Sequence, residues 1–578
     1  MGSAVDNSLG SEAEKRCATC DSGHTENRKT TGRRVTDVII DYISALGVKH
    51  IFGVGGANIE DLYDAAFFYD GLTAVLAKHE FSAATMADGY SRAGNGLGVV
   101  AATSGGASLN LVAGLGESLA SRVPVLALVG QPPTGMDGRG SFQDTSGHNG
   151  ALDAEALFSA VSVHCERVVD PSQISAALVR AVAAARTGGP AVLLLPKDIQ
   201  QSSVEVEARI HRNRQDVAAN VDLSELARVL GHAIRHVTIV AGEQVARDDA
   251  RDELERLRAL LNARLATVPD AKDVSGCPDR YTLGVTGVMG HPGVAEVIAQ
   301  GSACLLVGTR LPLTARSGLD AAISAVPTLS IGSAPPFVQS THVHAQDLRT
   351  ALAQLAASIP RSQTPNRPAE SARQELMPPA HDGPGVRYRD AMAVLDDVLP
   401  DDADVVVDAG NSGAAAIHLL PVRPTGRFIV ALGMGGMGYS FGAGIGSAFA
   451  RRRRTVVIAG DGSFFMHGME IHTAVEYRLP ITFVLFNNNA HGMCVTREQL
   501  YYRDQYSYNR FRPSHLGAGL AAMFPDLPSH DVASLDDLST ALEAALNVDG
   551  PSVVSIECSA DEIPPFAPFL ESTVKKES

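Results

Sequence analysis

The strongest constraint on the fold is an alternation that recurs over nearly the whole chain: short, almost wholly apolar runs separated by longer amphipathic stretches. Early runs are Gly98 to Thr103, Val123 to Gly130 and Ala191 to Pro196; Val237 to Ala241 and Cys304 to Val307 follow near the middle. Towards the end come Asp404 to Val407, Thr455 to Ala459, Ile481 to Phe486 and Ser552 to Ile556. An uninterrupted apolar run buries both faces of a strand, and an amphipathic helix returns the chain to start the next, so the pattern predicts parallel βαβ units. At 578 residues the chain exceeds what one hydrophobic core supports. The expected fold class is α/β, with three domains, each a mostly parallel sheet flanked by helices.

The boundaries follow from where the alternation lapses. Residues 1–32 are polar and aperiodic and read as a leader outside the fold; 33–205 form a first domain, 215–358 a central one, 359–384 a Pro/Gln/Ser-rich linker, and 385–570 a last domain. Within the leader, Cys17-x-x-Cys20 and His24 lack the second ligand pair of a zinc site and read as tail. A net charge of −16 argues against nucleic acid as a partner, and the basic run Arg451 to Arg454 reads as a solvated turn. Seven scattered cysteines suggest a reducing compartment, and the absence of a secretory h-region or a membrane-length apolar stretch leaves cytoplasm as the expected location.

Ligands of parallel sheets sit outside the carboxyl ends of the strands. Here those ends are Asp408-Ala-Gly-Asn411, Gly460-Asp461-Gly462-Ser463 and Asn487-Asn488-Asn489. A carboxylate and an amide oxygen brought together suit a hard cation that bridges phosphate oxygens, and flanking glycines let backbone approach a diphosphate. A lone Gly-Asp-Gly is ordinarily a turn; the Asn run, 27 residues beyond Asp461 and after a second apolar strand, changes that reading.

Gly-Asp-Gly followed at this interval by Asn-Asn resembles the signature of thiamine-diphosphate enzymes, and its surroundings resemble acetolactate (acetohydroxyacid) synthases. The resemblance implies thiamine diphosphate and Mg²⁺ as cofactors, with Asp461, Asn488 and the carbonyl of Ala490 on the metal. Gly410, Asn411, Ser412, Gly462, Ser463, His491, Gly492 and Met493 would surround the diphosphate, with Met437 of Leu432 to Gly438 under the bent cofactor. The same glycines also spell Gly433-x-Gly435-x-x-Gly438 after an expected strand Arg427 to Ala431, a dinucleotide fingerprint that keeps an NAD-binding alternative open. In the first domain, Ala77-Lys-His-Glu80-Phe-Ser-Ala-Ala is similar to the family segment whose Glu hydrogen-bonds the pyrimidine ring and activates the thiazolium. Since Glu80 and the metal residues fall in different domains, and the family joins these halves across subunits, a homodimer or homotetramer is implied.

Three segments resemble the synthase branch: Gly140 to Asp144, Pro196 to Gln200 and Val307 to Arg310. By that resemblance Phe142 and Gln143 border the substrate, Lys197 lines its channel and Arg310 pairs with an acceptor carboxylate; Asn110 is retained near the altered Ser104-Gly-Gly-Ala107 block. Two departures stand out. Leu311-Pro-Leu-Thr314 replaces an acidic pair, which leaves FAD in the central domain open, and a pocket-shaping Trp is missing, with Arg497 near its place. The expected activity is decarboxylating carboligation, from a 2-oxo acid such as pyruvate to a carbonyl acceptor. A simple 2-oxo acid decarboxylase or 2-hydroxyacyl lyase, and a non-catalytic relative, are the alternatives; His50, His79 and His148 offer no adjacent His pair of the kind a decarboxylase uses to supply a proton.

Overall fold

The computed structural model describes residues 32–94, 96–205, 221–233, 236–275, 281–359 and 373–577. The leader with Cys17, Cys20 and His24, and residues 360–372 of the linker, lie outside these. Three six-stranded sheets are present, and every strand pair within them is parallel. Across the first sheet the strands run Thr73–Leu76, His50–Val54, Gly98–Ala102, Val125–Gln131, Pro190–Pro196 and His164–Arg167. The last sheet repeats this order with Phe428–Val430, Asp404–Val407, Thr455–Gly460, Ile481–Asn487, Ser552–Glu557 and Ser529–Val532. The central sheet differs: Thr282–Val285, Arg264–Thr267, Val237–Ala241, Ala303–Val307, Thr328–Gly332 and Thr341–His344.

The apolar runs are the central strands, buried along their full length because helices cover both faces. Their ends move slightly from expectation. Val123 stays outside its strand because Pro124 has no N–H to give the ladder, and Asn487 extends the strand that delivers the Asn run. The first domain closes on itself where Arg33–Arg34 pairs antiparallel with Ser203–Val204. Part of the expected linker is pinned to the last domain by the Leu376 N–H on His418 Nε2, 2.9 Å.

First and last domains share one apolar core. It is sealed where helices Glu80–Gly94 and Tyr439–Arg451 cross at glycines. A Cβ on Gly89 would stand 2.2 Å from the Ala443 carbonyl, and one on Gly446 2.0 Å from that of Met86. Among the described residues, Cys165, Cys304, Cys494 and Cys558 are free thiols, and no helix is long and apolar enough to cross a membrane.

His418 and His291 stack at 4.5 Å where the central and last domains meet. Nδ1 of His418 bonds the Met289 carbonyl while Nε2 accepts the Leu376 N–H, and Nδ1 of His291 accepts the Val285 N–H. Each ring thus has one nitrogen that must stay unprotonated. Burial, then the neighbouring ring or chain charges, lowers His418 to about 4 and His291 to about 3. The native state therefore binds fewer protons than the unfolded chain below pH ~6.5, and stability is lost as pH falls from there towards 4. Thermal unfolding between pH 7 and 4.5 should show this fall, on the order of 3 kcal/mol at full titration of His418 alone, and His418→Gln should flatten it.

Candidate active site

In the last sheet the strand order reverses between Asp404–Val407 and Thr455–Gly460, where the crevice of such a sheet opens. Asp408 follows the first of these strands and Asp461 the second; the neighbouring strand, Ile481–Asn487, ends at Asn488. Asp461 is almost wholly buried, accepts the Ala490 N–H at 3.1 Å, and is pushed up to about 6 by burial. Asn489 adopts a left-handed conformation (φ 51°), which Asn tolerates better than most residues, and its Oδ1 accepts the Ser514 N–H at 2.8 Å. That turn brings Ala490 round to Asp461.

Buried side-chain atoms without partners collect here: Oδ1 of Asn488, both amide atoms of Asn411 and Nδ1 of His491. Leaving so many polar atoms unpaired is costly unless a ligand takes them. Glycine keeps the space between them: a Cβ on Gly462 would lie 2.5 Å from His491 Nδ1, and one on Gly492 2.7 Å from the Asn488 amide nitrogen. The Met437 methyl reaches the same place, 3.4 Å from the Gly462 position. Helices Asn411–Leu419 and Gly492–Tyr501 both begin here, the first behind Gly410 (φ 112°) with Ser412 buried in its first turn, the second with Met493 in its own. Their leading N–H groups suit an anion. Among the described residues no three His, Cys, Asp or Glu side chains gather as a metal cage. Asp461 and the Asn488 amide oxygen are side-chain oxygens of the kind a hard cation takes.

Asp408 carries a role the sequence did not reveal. It is fully buried and accepts from the N–H of Gly438 (3.1 Å) and Ser440 (2.9 Å) and from Ser463 Oγ (2.8 Å). One carboxylate thus ties the strand end to the Met437 loop, to the helix after it and to the Asp461 turn, and Ser463 spends its hydroxyl there.

The first domain assembles a second cluster. Glu80 begins its helix, is buried, and accepts a 2.9 Å hydrogen bond from Asn110 Nδ2 on helix Gly106–Ala120. Before that helix, Ser104 Oγ accepts from Asn58 Nδ2 (2.7 Å) and faces Gln143 Oε1 at 3.5 Å; Gln143 is in left-handed conformation (φ 60°) over Gly105. Phe142 stands 78% exposed beside it, and Lys197 bonds the Ala57 carbonyl at 2.7 Å and pairs with Glu60. Two further expected residues stand apart from this first-domain cluster. Arg310 stacks on Phe337 (4.2 Å) at the carboxyl end of the central sheet, and Arg497 is exposed on helix Gly492–Tyr501. The dinucleotide reading of Gly433 to Gly438 fails on packing. The segment follows an edge strand, and its leading N–H groups, of Gly433 and Met434, are held by Glu117 at 3.1 and 2.6 Å.

The chain belongs to the thiamine pyrophosphate enzymes. Residues 33–152 match the family's N-terminal thiamine pyrophosphate binding domain, 223–355 its central domain and 408–556 its C-terminal thiamine pyrophosphate binding domain. Its relatives include the probable acetolactate synthase large subunit of Methanocaldococcus jannaschii, 27% identical over 92% of this chain and 93% of that protein. The acetolactate synthase isozyme 2 large subunit of Escherichia coli is 28% identical, over 92% and 96%. Among solved structures, a benzoylformate decarboxylase from Polynucleobacter necessarius shares the fold with a TM-score of 0.78 at 20% identity, covering 92% of this chain and all of that one. A putative thiamin diphosphate-dependent enzyme isolated from Mycobacterium smegmatis does so with a TM-score of 0.74 at 24% identity, covering 91% of this chain and all of that one.

Asp408→Ala leaves two buried N–H groups and a hydroxyl unpaired. It should cost about 3 kcal/mol or more in unfolding measurements and abolish thiamine diphosphate binding; a variant as stable as the parent would contradict the clamp.

Proposed function

We propose that this protein is a Mg²⁺- and thiamine-diphosphate-dependent carboligase of the acetolactate synthase type, which decarboxylates a 2-oxo acid such as pyruvate and passes the acyl fragment to a carbonyl acceptor. The observation that carries the reading is the set of unpartnered buried atoms on Asn411, Asn488 and His491 around Asp461, cleared by Gly462 and Gly492. Bound thiamine diphosphate supplies the electron sink that makes loss of CO₂ from a 2-oxo acid feasible. Asp461, Asn488 Oδ1 and the Ala490 carbonyl would hold Mg²⁺; Gly410, Asn411, Ser412, Gly462, His491, Gly492, Met493 and the main chain of Ser463, whose hydroxyl is on Asp408, would receive the diphosphate, and Met437 would support the rings. Glu80, fixed by Asn110, would be the hydrogen-bond partner of the pyrimidine ring nitrogen. A homodimer is the smallest active unit in this reading, with a homotetramer as the alternative, and exposed Phe142 is available to a second copy. Gln143 and Lys197 border the substrate. Arg497, exposed near the place of the missing Trp, takes an acceptor carboxylate more readily than Arg310, which is stacked on Phe337. The free thiols suit the proposed cytoplasmic setting.

Flavin is left out of this reading because the chain's own groups occupy the mouth of the central crevice, between Val237–Ala241 and Ala303–Val307, where the Gln244 N–H bonds the Gly308 carbonyl at 3.1 Å. The buried Gln244 amide fills the remainder, accepting from the Ser333 N–H (2.7 Å) and donating to Asp248 (2.9 Å) and the Ala345 carbonyl (3.0 Å). Glu243 at the same mouth, raised to about 7 by burial and then by Asp270, would repel a diphosphate once ionised.

The simple decarboxylase alternative receives one point of support. His79 and His467, from different domains, come together at 5.1 Å, with Phe81 stacked on His467 at 4.3 Å. Yet burial, then His79, lowers His467 to about 4, and His79 Nδ1 is occupied by the Phe81 N–H. His467, lowered in this way, is a poor proton supply at neutral pH, and His79 has one ring nitrogen engaged by a main-chain donor, which favours carboligation.

Purified protein given thiamine diphosphate, Mg²⁺, pyruvate and a panel of aldehydes and 2-oxo acids should form acyloin or acetohydroxy acid products and show no flavin absorption. Aldehyde as sole product would favour the decarboxylase. Glu80→Gln should retain the cofactor and lose roughly 100-fold or more in turnover; unchanged turnover would overturn the role of Glu80.

A further inference from the structure

A cavity of about 580 Å³ lies between the central and last domains, at the amino end of the last sheet. Residues 421–427, which join helix Asn411–Leu419 to strand Phe428–Val430, form one wall, with Arg451 at the end of helix Tyr439–Arg451. The Asp461 and Asn488 cluster opens from the carboxyl ends of the strands, so the two lie at opposite edges of this sheet.

In a chain of net charge −16 the lining is unusually basic: Arg251, Lys272, Arg373, Arg423, Arg427 and Arg451 stand against Asp249 and Asp273. Neighbouring carboxylates account for some of these. Asp396 pairs with Arg423 and Asp404 with Arg451 (2.9 Å), while Asp273 is shared by Arg427 and Arg251 and Asp249 pairs with exposed Arg349 (3.6 Å). Among the described residues Lys272 has no carboxylate. Its ammonium bonds the carbonyls of Ala416 (3.1 Å) and Leu420 and lies 4.6 Å from the centre of the Phe428 ring. Burial, then Arg373, holds it well below the usual lysine range, as expected of a cation that lacks an anion.

Donors are open here too. His291 is 5% exposed, and its Nδ1 accepts the Val285 N–H (3.0 Å), so its hydrogen is on Nε2, which is buried and unpartnered. Arg423 Nε is likewise unpartnered, and Arg251 bonds Asp273 through Nε (3.2 Å) and Nη2 (3.4 Å) while its Nη1 bonds no described group. Water would satisfy the donors but would not offset the charge.

We propose that this cavity is an anion site separate from the cofactor cluster, and that it takes the phosphate group of a small phosphorylated metabolite on Lys272, Arg251 and His291. Guanidinium and ammonium groups suit phosphate oxygens, and the volume leaves room for the organic part of the ligand. None of these residues belongs to the cofactor cluster, so the inference stands apart from that reading.

The test is calorimetric titration of the full-length protein, saturated with thiamine diphosphate and Mg²⁺, with inorganic phosphate as the probe. One phosphate should bind per chain. Lys272→Met should weaken it about tenfold or more, and Arg251→Gln about 3- to 5-fold. Arg251→Gln leaves Asp273 bonded to Arg427 and to the Phe428 N–H, so it decides the matter if Lys272→Met does not fold. Succinate should bind more weakly than phosphate; tighter binding would assign the cavity to carboxylates and overturn the proposal. No phosphate binding up to ~10 mM, or equal affinity in the parent and Arg251→Gln, would also overturn it. So would phosphate that binds only when thiamine diphosphate is omitted, since that anion would sit in the cofactor cluster. A protein that does not bind thiamine diphosphate yet loses phosphate affinity in Arg251→Gln would refute the cofactor reading and uphold this one.

Discussion

The close crossing of helices Glu80–Gly94 and Tyr439–Arg451 is the contact on which the rest depends. Gly89, Gly442 and Gly446 let the backbones approach to distances that any side chain would prevent. At the centre of the crossing, buried Asp88 accepts from Tyr439 (2.6 Å), Ser118 (2.7 Å) and Arg92 (2.6 Å), so the seam is bonded as well as packed. Glu80 heads one helix, and the loop carrying Met437 leads into the other. A single packing decision therefore fixes the positions from which both clusters operate.

From that seam, order is transmitted by buried carboxylates. Asp408 fastens the Met437 loop to the Asp461 turn, and Glu117 reaches from the first domain to bind the Gly433 and Met434 N–H groups. Each is a charge taken out of water and satisfied by several donors, an arrangement that tolerates little displacement of its partners. The unpartnered atoms of Asn411 and Asn488 sit within this frame, a contrast that the proposed function reads as the mark of ligand atoms.

The fold was legible because apolar strand runs and their polar ends are local in sequence. The three sheets follow from that pattern, and the Asp461 turn lies against Ala490, two residues beyond Asn488. What stayed hidden depends on long-range partners. Asp408 looked like one more strand-end residue, since its donors lie about 30 to 55 residues away. Glu117 and Gln244 carried no motif at all, and His79 found His467 from another domain. Arg310, expected at the substrate on local resemblance, is stacked on Phe337, a contact no local motif announced. The Gly433 to Gly438 pattern misled in the opposite sense, because a glycine fingerprint gives no hint that Glu117 already holds its leading N–H groups.

The central claim is that Asp461 and Asn488 bind the diphosphate of thiamine through a shared Mg²⁺. Calorimetric titration of the apoprotein with thiamine diphosphate, with and without Mg²⁺, tests it most directly. The account predicts one cofactor per chain, bound at least tenfold more weakly without Mg²⁺ and likewise in Asp461→Ala. Binding indifferent to both Mg²⁺ and Asp461, or no binding at all, would contradict it.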